Sequence, residues 1–426
     1  MKASHKKIIP YVAVVILLIL IVVALTSRKS FQEHEAERLN LCHEEPPCET
    51  KSCDPGCVDV CDPSMIVIPG PDANTPVVEN VHCWKGGNLA PHLICGGVSL
   101  SLDFLYWKAN EDGLEYGDKM VAGPIIGHAS KNDTHLLDMH FHWDPGFRLG
   151  LGYLFDRYDH WQVDLNWTHI RNTAYGQAFA GGIESQTGPV NTIVPPWVSL
   201  GFVLSAGASQ ANAKWHVDLN ILDLDLGRSF FVSKRLVLNP HIGLRGAWVN
   251  QGYQAKYHMF FLLMEGEPEP PRNVHFFARN DFRSFGIRGG SEILWHFNSH
   301  WNLFAQLSGS LLYGKFNIKM KNANDQGLGE GSTPPMPIDF TASEKFWRTR
   351  LNLEEAIGIS WETFFQNRWI YHLSVKAAYE MSQWFNQNEL YYTHYFRGQD
   401  TIYNIPVRNH GDLGFQGIKA GIELDF

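Results

Sequence analysis

The sequence predicts an all-β transmembrane protein: an antiparallel barrel of about twelve strands, with ten to fourteen allowed, behind a short cysteine-rich N-terminal segment. Three observations carry this prediction. In the last thirteen residues, Gln416, Ile418, Ala420, Ile422, Leu424 and Phe426 fall on one strand face and Gly417, Lys419, Gly421, Glu423 and Asp425 on the other. An apolar face opposite a charged one, ending in phenylalanine, suits the closing strand of a membrane barrel. Glycine (38), Trp (14), Tyr (15) and Phe (26) are abundant while only 19% of residues are charged, which favours aromatic-rich strands joined by turns. Mean hydropathy is -0.20, and beyond the N-terminus no run approaches the roughly 20 apolar residues of a spanning helix.

Residues 1–24 read as an export signal, with Lys2, Lys6 and Lys7 before an apolar run from Ile8 to Leu25 and a cleavage site at Val22-Val23-Ala24. The length of the run and the nearby Arg28 and Lys29 leave an uncleaved inner-membrane anchor as the alternative. Residues 25–95 read as a periplasmic leader and linker. Ser30 and Glu33 form a capping box for a short helix to Leu41, and Pro63, Pro69, Pro71 and Pro76 stiffen the linker up to about Leu93.

All seven cysteines lie in this leader: Cys42, Cys48, Cys53, Cys57, Cys61, Cys83 and Cys95. In an exported chain such clustering points to disulfides, and an odd count leaves a thiol free or joined to another chain. A local stapled module and cross-links between envelope neighbours both remain open. Cys53, Cys57 and Cys61 lack the CxxC pair of a zinc site.

From residue 96 to 426 period-two alternation recurs. Val98 to Tyr106, Phe147 to Phe155, Trp161 to Trp167, Leu236 to Trp248, Phe285 to Trp295, Trp301 to Tyr313 and Trp369 to Met381 each set apolar against polar residues. Two strands are imperfect: the apolar phase flips near Asp223, suggesting a bulge or strand end, and Glu355 interrupts the row Leu351, Leu353, Ile357, Ile359. Connections alternate as in an outer-membrane barrel. Short turns fall near Asp156 to His160, Ser233 to Arg235, Asn298 to His300 and Phe365 to Arg368. Long excursions cover Ala109 to Thr134, Asn172 to Ala213, Asn250 to Arg283, Asn317 to Trp347 and Ser382 to His410. Counting strands between connections gives ten; twelve results if Tyr253 to Phe261, Leu390 to Phe396 or a split of His135 to Phe155 adds more. Trp107, Trp161, Trp295, Trp301, Trp361 and Trp369 lie near strand ends, where aromatic girdles meet headgroups. A soluble all-β domain would need a second sheet to cover these aromatics.

Asp103-Phe104-Leu105-Tyr106-Trp107-Lys108 and Gly146-Phe147-Arg148-Leu149-Gly150-Leu151-Gly152-Tyr153 resemble strand motifs of the Legionella-type major outer membrane protein family, which also occurs in environmental chlamydiae. The resemblance spans roughly Gly96 to Phe426 and implies a pore-forming barrel in the outer membrane of a Gram-negative-type bacterium. The cysteine-rich leader departs from that pattern, so nothing is implied for it.

For a pore, the relevant side chains are the charged ones on polar strand faces: Arg148, Asp164, Arg245, Arg288, Glu292, Lys376, Glu380, Lys419 and Glu423. The competing expectation is that a narrow barrel lets them pair and fill the lumen. His140 and His142, with His128 or His135, could face one side of a strand as a metal pair, yet such histidines are usual at barrel surfaces and no metal or cofactor is assigned. GxSxG, HExxH and P-loop motifs are absent, and Asp138 with His140 is a pair that alternation produces by chance, so no enzyme is expected. The formal charge of -9 argues against nucleic acid. The expected function is porin-like passive diffusion of ions and small solutes. The alternative is a structural envelope protein or adhesin whose barrel is an anchor and whose cysteines cross-link neighbours. Expected partners are outer-membrane lipid and the barrel-assembly machinery, with a homo-oligomer or disulfide-linked envelope neighbours left open.

Overall fold

The computed structural model of the protein describes residues 97–122, 133–155, 161–183, 190–198, 205–233, 235–262, 268–324, 340–366, 370–397 and 402–426, with four short strands between 68 and 95. All belong to the compact unit from Pro63 to Phe426. The export signal, the helix from Ser30 to Leu41, the turn at Asp156 to His160 and five of the cysteines lie outside the described residues.

Ten strands form the wall: β1 (Gly97–Glu111), β2 (Trp143–Phe155), β3 (Trp161–Phe179), β4 (Ser205–Arg228), β5 (Leu236–Leu262), β6 (Pro268–His296), β7 (Trp301–Asn324), β8 (Phe340–Gln366), β9 (Ile370–Asn388) and β10 (Gly411–Asp425). Each pairs antiparallel with its sequence neighbour, and β10 returns to β1 through a register running from Leu413↔Glu111 to Asp425↔Ser99. The sheet therefore has no free edge within the wall, the condition for crossing hydrocarbon with strands. Val98 and Phe426 exchange backbone hydrogen bonds of 2.8 and 3.0 Å, so both ends of the domain meet on the short-turn side, which by the rule for such barrels is periplasmic. There Asn298 Oδ1 accepts from the amides of His300 and Trp301 at 2.9 Å, and Ser233 Oγ accepts from Leu236 N at 3.1 Å.

The wall has ten strands, at the lower end of the ten to fourteen expected. Tyr253 to Phe261 continues β5, Trp143 to Phe155 is one strand, and Tyr391–Arg397 pairs with Ile402–Arg408 as a separate hairpin outside the wall. Much of the chain that the sequence marked as loop is wall: β5 and β8 have 27 residues each and β6 has 29. That is more than twice the roughly 9–11 residues needed to span a bilayer.

One pattern explains the misreading. Near the periplasm β4 turns Leu222, Leu224 and Leu226 outward and Asp223 and Asp225 inward; nearer the extracellular end of the same strand, Trp215, Val217, Leu219 and Ile221 are buried inside while Lys214, His216, Asp218 and Asn220 face out. Register runs unbroken through Asp223, paired with Asn166 and Arg245. The phase flip is thus the place where the strand leaves the membrane, not a bulge: apolar side chains face lipid below it and an internal core above it. β5 and β7 do the same, with Ile242 and Leu244 against Tyr253 and Tyr257, and Leu307 and Leu311 against Phe316 and Met320. Register shifts occur at Ala208/Gln210, Met259/Phe261 and Trp384/Asn388, all toward the extracellular ends.

Trp161, Trp295 and Trp301 are exposed and outward, as a girdle requires, and Trp361 is half-buried on the same face. Trp107 is a correction: it sits on the inward face of β1, only 4% exposed, and its neighbour Tyr106 stacks outside on Trp143 at 5.7 Å instead. Trp369 lies outside the described residues.

Glu355 keeps the regular register, opposite Leu307 on β7 and Met381 on β9, and points outward between them. A carboxyl group facing hydrocarbon costs folding free energy. Glu355→Leu is expected to stabilise the barrel by about 1–2 kcal/mol, somewhat less than the midplane cost of a lysine or arginine. Urea titration of the folded gel band measures this; a loss of stability in the variant would overturn the assignment of this side chain to open lipid.

Candidate functional site: the barrel lumen

The inward faces divide the lumen into two storeys. In the membrane half they are polar. All nine sequence-derived candidates project there and line a cavity of about 240 Å³. Four residues that sequence analysis passed over join them: Asp103, Asp223, Asp225 and Glu354. Asp223 was visible only as a phase break, and Glu354 was overshadowed by its lipid-facing neighbour.

Arg245, 2% exposed, is the centre of one ion network. Its guanidinium donates to both oxygens of Asp223 at 2.7 Å and to both of Glu354 at 2.8 and 2.7 Å. These forked contacts are the strong class of charge-assisted bond. Arg288 pairs with Asp225 and donates to Ser308 Oγ at 3.2 Å. Gly243 makes room for this: a side chain there would collide with the Asp225 carboxylate and the Leu224 carbonyl. A second network joins Arg148 to Glu380 at 3.1 and 3.3 Å, to Thr168 at 3.0 Å and to Asp103 at 3.6 Å, with Lys419 at 3.0 Å from the same Glu380. Arg148 also lies 5.9 Å over the Trp107 ring. Lys376 pairs with Glu423.

Seven of the nine candidates, all but Asp164 and Glu292, are thus paired with opposite charges, and small residues also line the cavity. Ser99 and Ser101 on β1 and Gly150 and Gly152 on β2 border the cavity, and the glycines admit polar neighbours: a Cβ at Gly150 would collide with Ser101 Oγ and Asn166 Oδ1, and one at Gly152 with Ser99 Oγ and Asp164 Oδ1. The charges do not balance. Eight inward carboxylates surround the cavity: Asp103, Asp164, Asp223, Asp225, Glu292, Glu354, Glu380 and Glu423. Five cations face them; Arg228, at the periplasmic rim, lies over the outward rings of Trp161 at 5.9 Å and Phe230 at 5.0 Å. Asp164 and Glu292 take hydrogen bonds from neutral amides, Gln162 at 2.7 Å and Asn239 at 3.4 Å.

The described part of the extracellular storey is packed with apolar side chains around a few buried polar ones: Gln251 donates to Glu111 at 2.9 Å, Asn280 donates to Gln251 at 2.9 Å, and Arg350 pairs with Glu389. Segments between strands fold inward: Gly117–Ala122 pairs with Val190–Val194 and with Asp133–Leu137, and Trp197 follows, fully buried. Its ring lies against Phe276 at 5.4 Å, Tyr253 at 5.0 Å and Tyr392 at 4.4 Å, and its Nε1 donates to Glu115 O at 2.8 Å. Tyr257 donates to Tyr116 O at 2.8 Å and Tyr392 to Glu115 Oε2 at 2.7 Å, tying this cap to the wall. Gly176 on β3 lets the Tyr116 ring approach its backbone, a place any side chain would occupy.

Sequence candidates outside the lumen stay apart from it. His140 and His142 are exposed on the outer wall, where the His142 ring meets Tyr175 edge-on at 5.4 Å, and Asp138 is exposed. Among the described residues no cluster of three metal-ligating side chains occurs; His128 lies outside them. Cys83 stands opposite Cys95 in a two-stranded pairing of Cys83–Lys85 with Leu93–Cys95.

Removing Arg245 leaves Asp223 with the 3.9 Å contact of Arg288, and Glu354 with Arg288 at 3.5 Å and the Ser308 hydroxyl at 3.3 Å. Arg245→Ala is therefore expected to destabilise the fold by about 3–5 kcal/mol, as for a buried pair that loses one partner. Denaturant midpoints in detergent test this, and a loss below about 1 kcal/mol would mean that water already screens the network as at a surface.

Comparison with known proteins agrees with the architecture. The Legionella pneumophila major outer membrane protein precursor family matches residues 95–426. No curated protein sequence matches. Among solved structures, the outer membrane protease OmpT from Escherichia coli is 11% identical at a TM-score of 0.32, covering 78% of this chain and 97% of its own. A Pseudomonas aeruginosa FadL homologue is 10% identical at 0.24, covering 78% and 90%, and the Yersinia pestis attachment invasion locus protein Ail is 13% identical at 0.19, covering 77% and 98%. Likeness at these scores carries no functional inference. The family match spans the whole wall, and with it the closed barrel, the lipid-facing leucines and the charged interior have one explanation: the chain belongs to the Legionella major outer membrane protein family and resides in the outer membrane.

Proposed function

We propose that this protein is a porin-like channel for passive diffusion of ions and small solutes. The observation that supports this most is the polar cavity in the membrane half, walled by serine and glycine on one side and by ion networks on the other. Water and ions would pass along the Ser99, Ser101, Gly150 and Gly152 side, past the Asp164 carboxylate that lies over Gly152. The surplus of carboxylates would make the path prefer cations. No bond is made or broken in such a function, and no catalytic role is given to any residue.

The packed extracellular storey requires that the cap around Trp197 move for current to flow. A second reading takes the same packing as permanent: the barrel anchors a structural envelope protein or adhesin, with the cysteine-rich leader linking neighbours. On non-reducing gels of the full chain, a ladder that collapses with reductant favours this second reading; a reductant-insensitive monomer counts against it.

Conductance across a planar lipid bilayer under a salt gradient separates the two. The expected result is discrete current steps with a reversal potential on the cation-selective side, shifted toward zero by Asp164→Asn with Glu292→Gln. Silence from protein shown to be folded by heat-dependent gel mobility would transfer the lead to the anchor reading.

Acid should favour the closed cap. Asp118, in the cap segment, has its carboxyl held above the usual range by burial first and by nearby Glu115 second. A raised value in the packed state means that this state binds the proton more tightly, so its stability rises as pH falls and weakens as pH climbs through that value. Channel openings should become rarer as the solution is made acidic, and Asp118→Asn should flatten the response. Openings that increase on acidification would contradict this assignment.

A further inference from the structure

Above the lipid-facing band, the outer surface of β6, β7 and β8 carries a concentration of positive charge that the lumen reading does not use. Phe285 and Tyr313 face each other across β6 and β7 on the outside, and Tyr313 stacks on Trp347 of β8 at 5.4 Å. One outward position further toward the extracellular end, Arg283 faces Lys315, whose ammonium lies 6.0 Å over the Trp347 ring. Arg279 faces Lys319 two outward positions beyond, with Lys321 and Lys345 alongside. All six cations are exposed. The outward residues between them include one acid, Asp281. This patch occurs on a chain whose formal charge is -9, so it is a local departure from the overall sign.

Position selects the occupant. Strand residues advance roughly 3.3 Å each, so the first cation row lies about 7 Å along the strand from the aromatic ring row. Aromatic rings of this kind mark the level of the headgroups. A cation row just beyond them stands where the phosphates of an outer-leaflet lipid would lie, while that lipid's chains cover Phe285, Ile287 and Leu311 below. Neither a soluble anion nor a partner protein needs this match between ring height and charge height.

We propose that the outer face of β6, β7 and β8 binds phosphorylated glycolipid of the outer leaflet, with Arg279, Arg283, Lys315, Lys319, Lys321 and Lys345 holding the phosphates and the ring row seating the sugar and upper acyl chains. This site is separate from the lumen and independent of whether the channel conducts. Bound lipid would brace the three strands whose walls rise far above the membrane.

Native mass spectrometry of the full-length detergent-folded protein tests the site, with a bis-phosphorylated lipid A-type glycolipid and its dephosphorylated form as probes. The phosphorylated lipid should be retained preferentially, and retention should fall with ionic strength. The variant R279Q/R283Q/K315Q/K319Q should lose retention on the order of tenfold or more, since each cation near a charged lipid surface contributes appreciably. The variant K108Q/R171Q/K214Q, which removes outward cations elsewhere on the wall, should retain lipid as the native protein does. Equal retention of the two lipid forms by the native protein would overturn the proposal whether or not the first variant folds. So would loss in the control variant, or displacement of the lipid by millimolar inorganic phosphate, which would reveal a site for free phosphate instead.

Discussion

Inside a bilayer no water is available to satisfy a peptide N–H or C=O, and this constraint determines the architecture. The pairing of β10 with β1 answers it, because it converts a ten-strand meander into a closed wall. Once the wall is closed, each strand has one face toward lipid and one toward the lumen. The bilayer then decides which is apolar. Where lipid is outside, Leu222, Leu224 and Ile242 face out; where water is outside, Trp215, Val249 and Tyr253 face in. A single strand thus changes the meaning of its alternation midway without any change in backbone geometry.

The two storeys of the lumen arise from this inversion. The inner faces in the membrane half are free to be polar, and the charges gathered there line a small cavity in which Arg245, Arg288 and Glu380 are buried. They persist because nearly every one has a partner: Arg245 between Asp223 and Glu354, Glu380 between Arg148 and Lys419. Such networks tie strands together around the polar cavity. The extracellular storey has the character of a soluble core, with Trp197, Phe276 and Tyr257 buried together. On the proposed channel reading, the polar cavity is the path and the cap must yield for it to open.

The periodic half of the structure was legible in the sequence. The closing strand at Gly414 to Phe426, the short turns at Ser233 and Asn298, and the inward placement of Arg148, Arg288 and Lys419 are all consequences of period-two alternation. The extracellular half was not legible, because its pattern is the inverse of the membrane pattern and is interrupted by Pro and Gly. Tyr253 to Phe261 read as a possible extra strand inside a long excursion for this reason, although it continues β5. Trp107 was misassigned because nearness to a strand end does not say which face a residue occupies; one position along β1 separates the lumen from the headgroups.

By itself the sequence determined the class of solvent on each side of the chain: apolar lipid against one face, a charged interior against the other, and turns long on one side and short on the other. These are local properties, read from neighbours two residues apart. The tertiary structure decided which charge meets which, since Arg245 and Glu354 are 109 residues apart and meet only when the wall closes. It also decided that the barrel has ten strands and that the upper lumen is filled. Both depend on how far each strand runs beyond the membrane, and only packing against the rest of the wall sets that length.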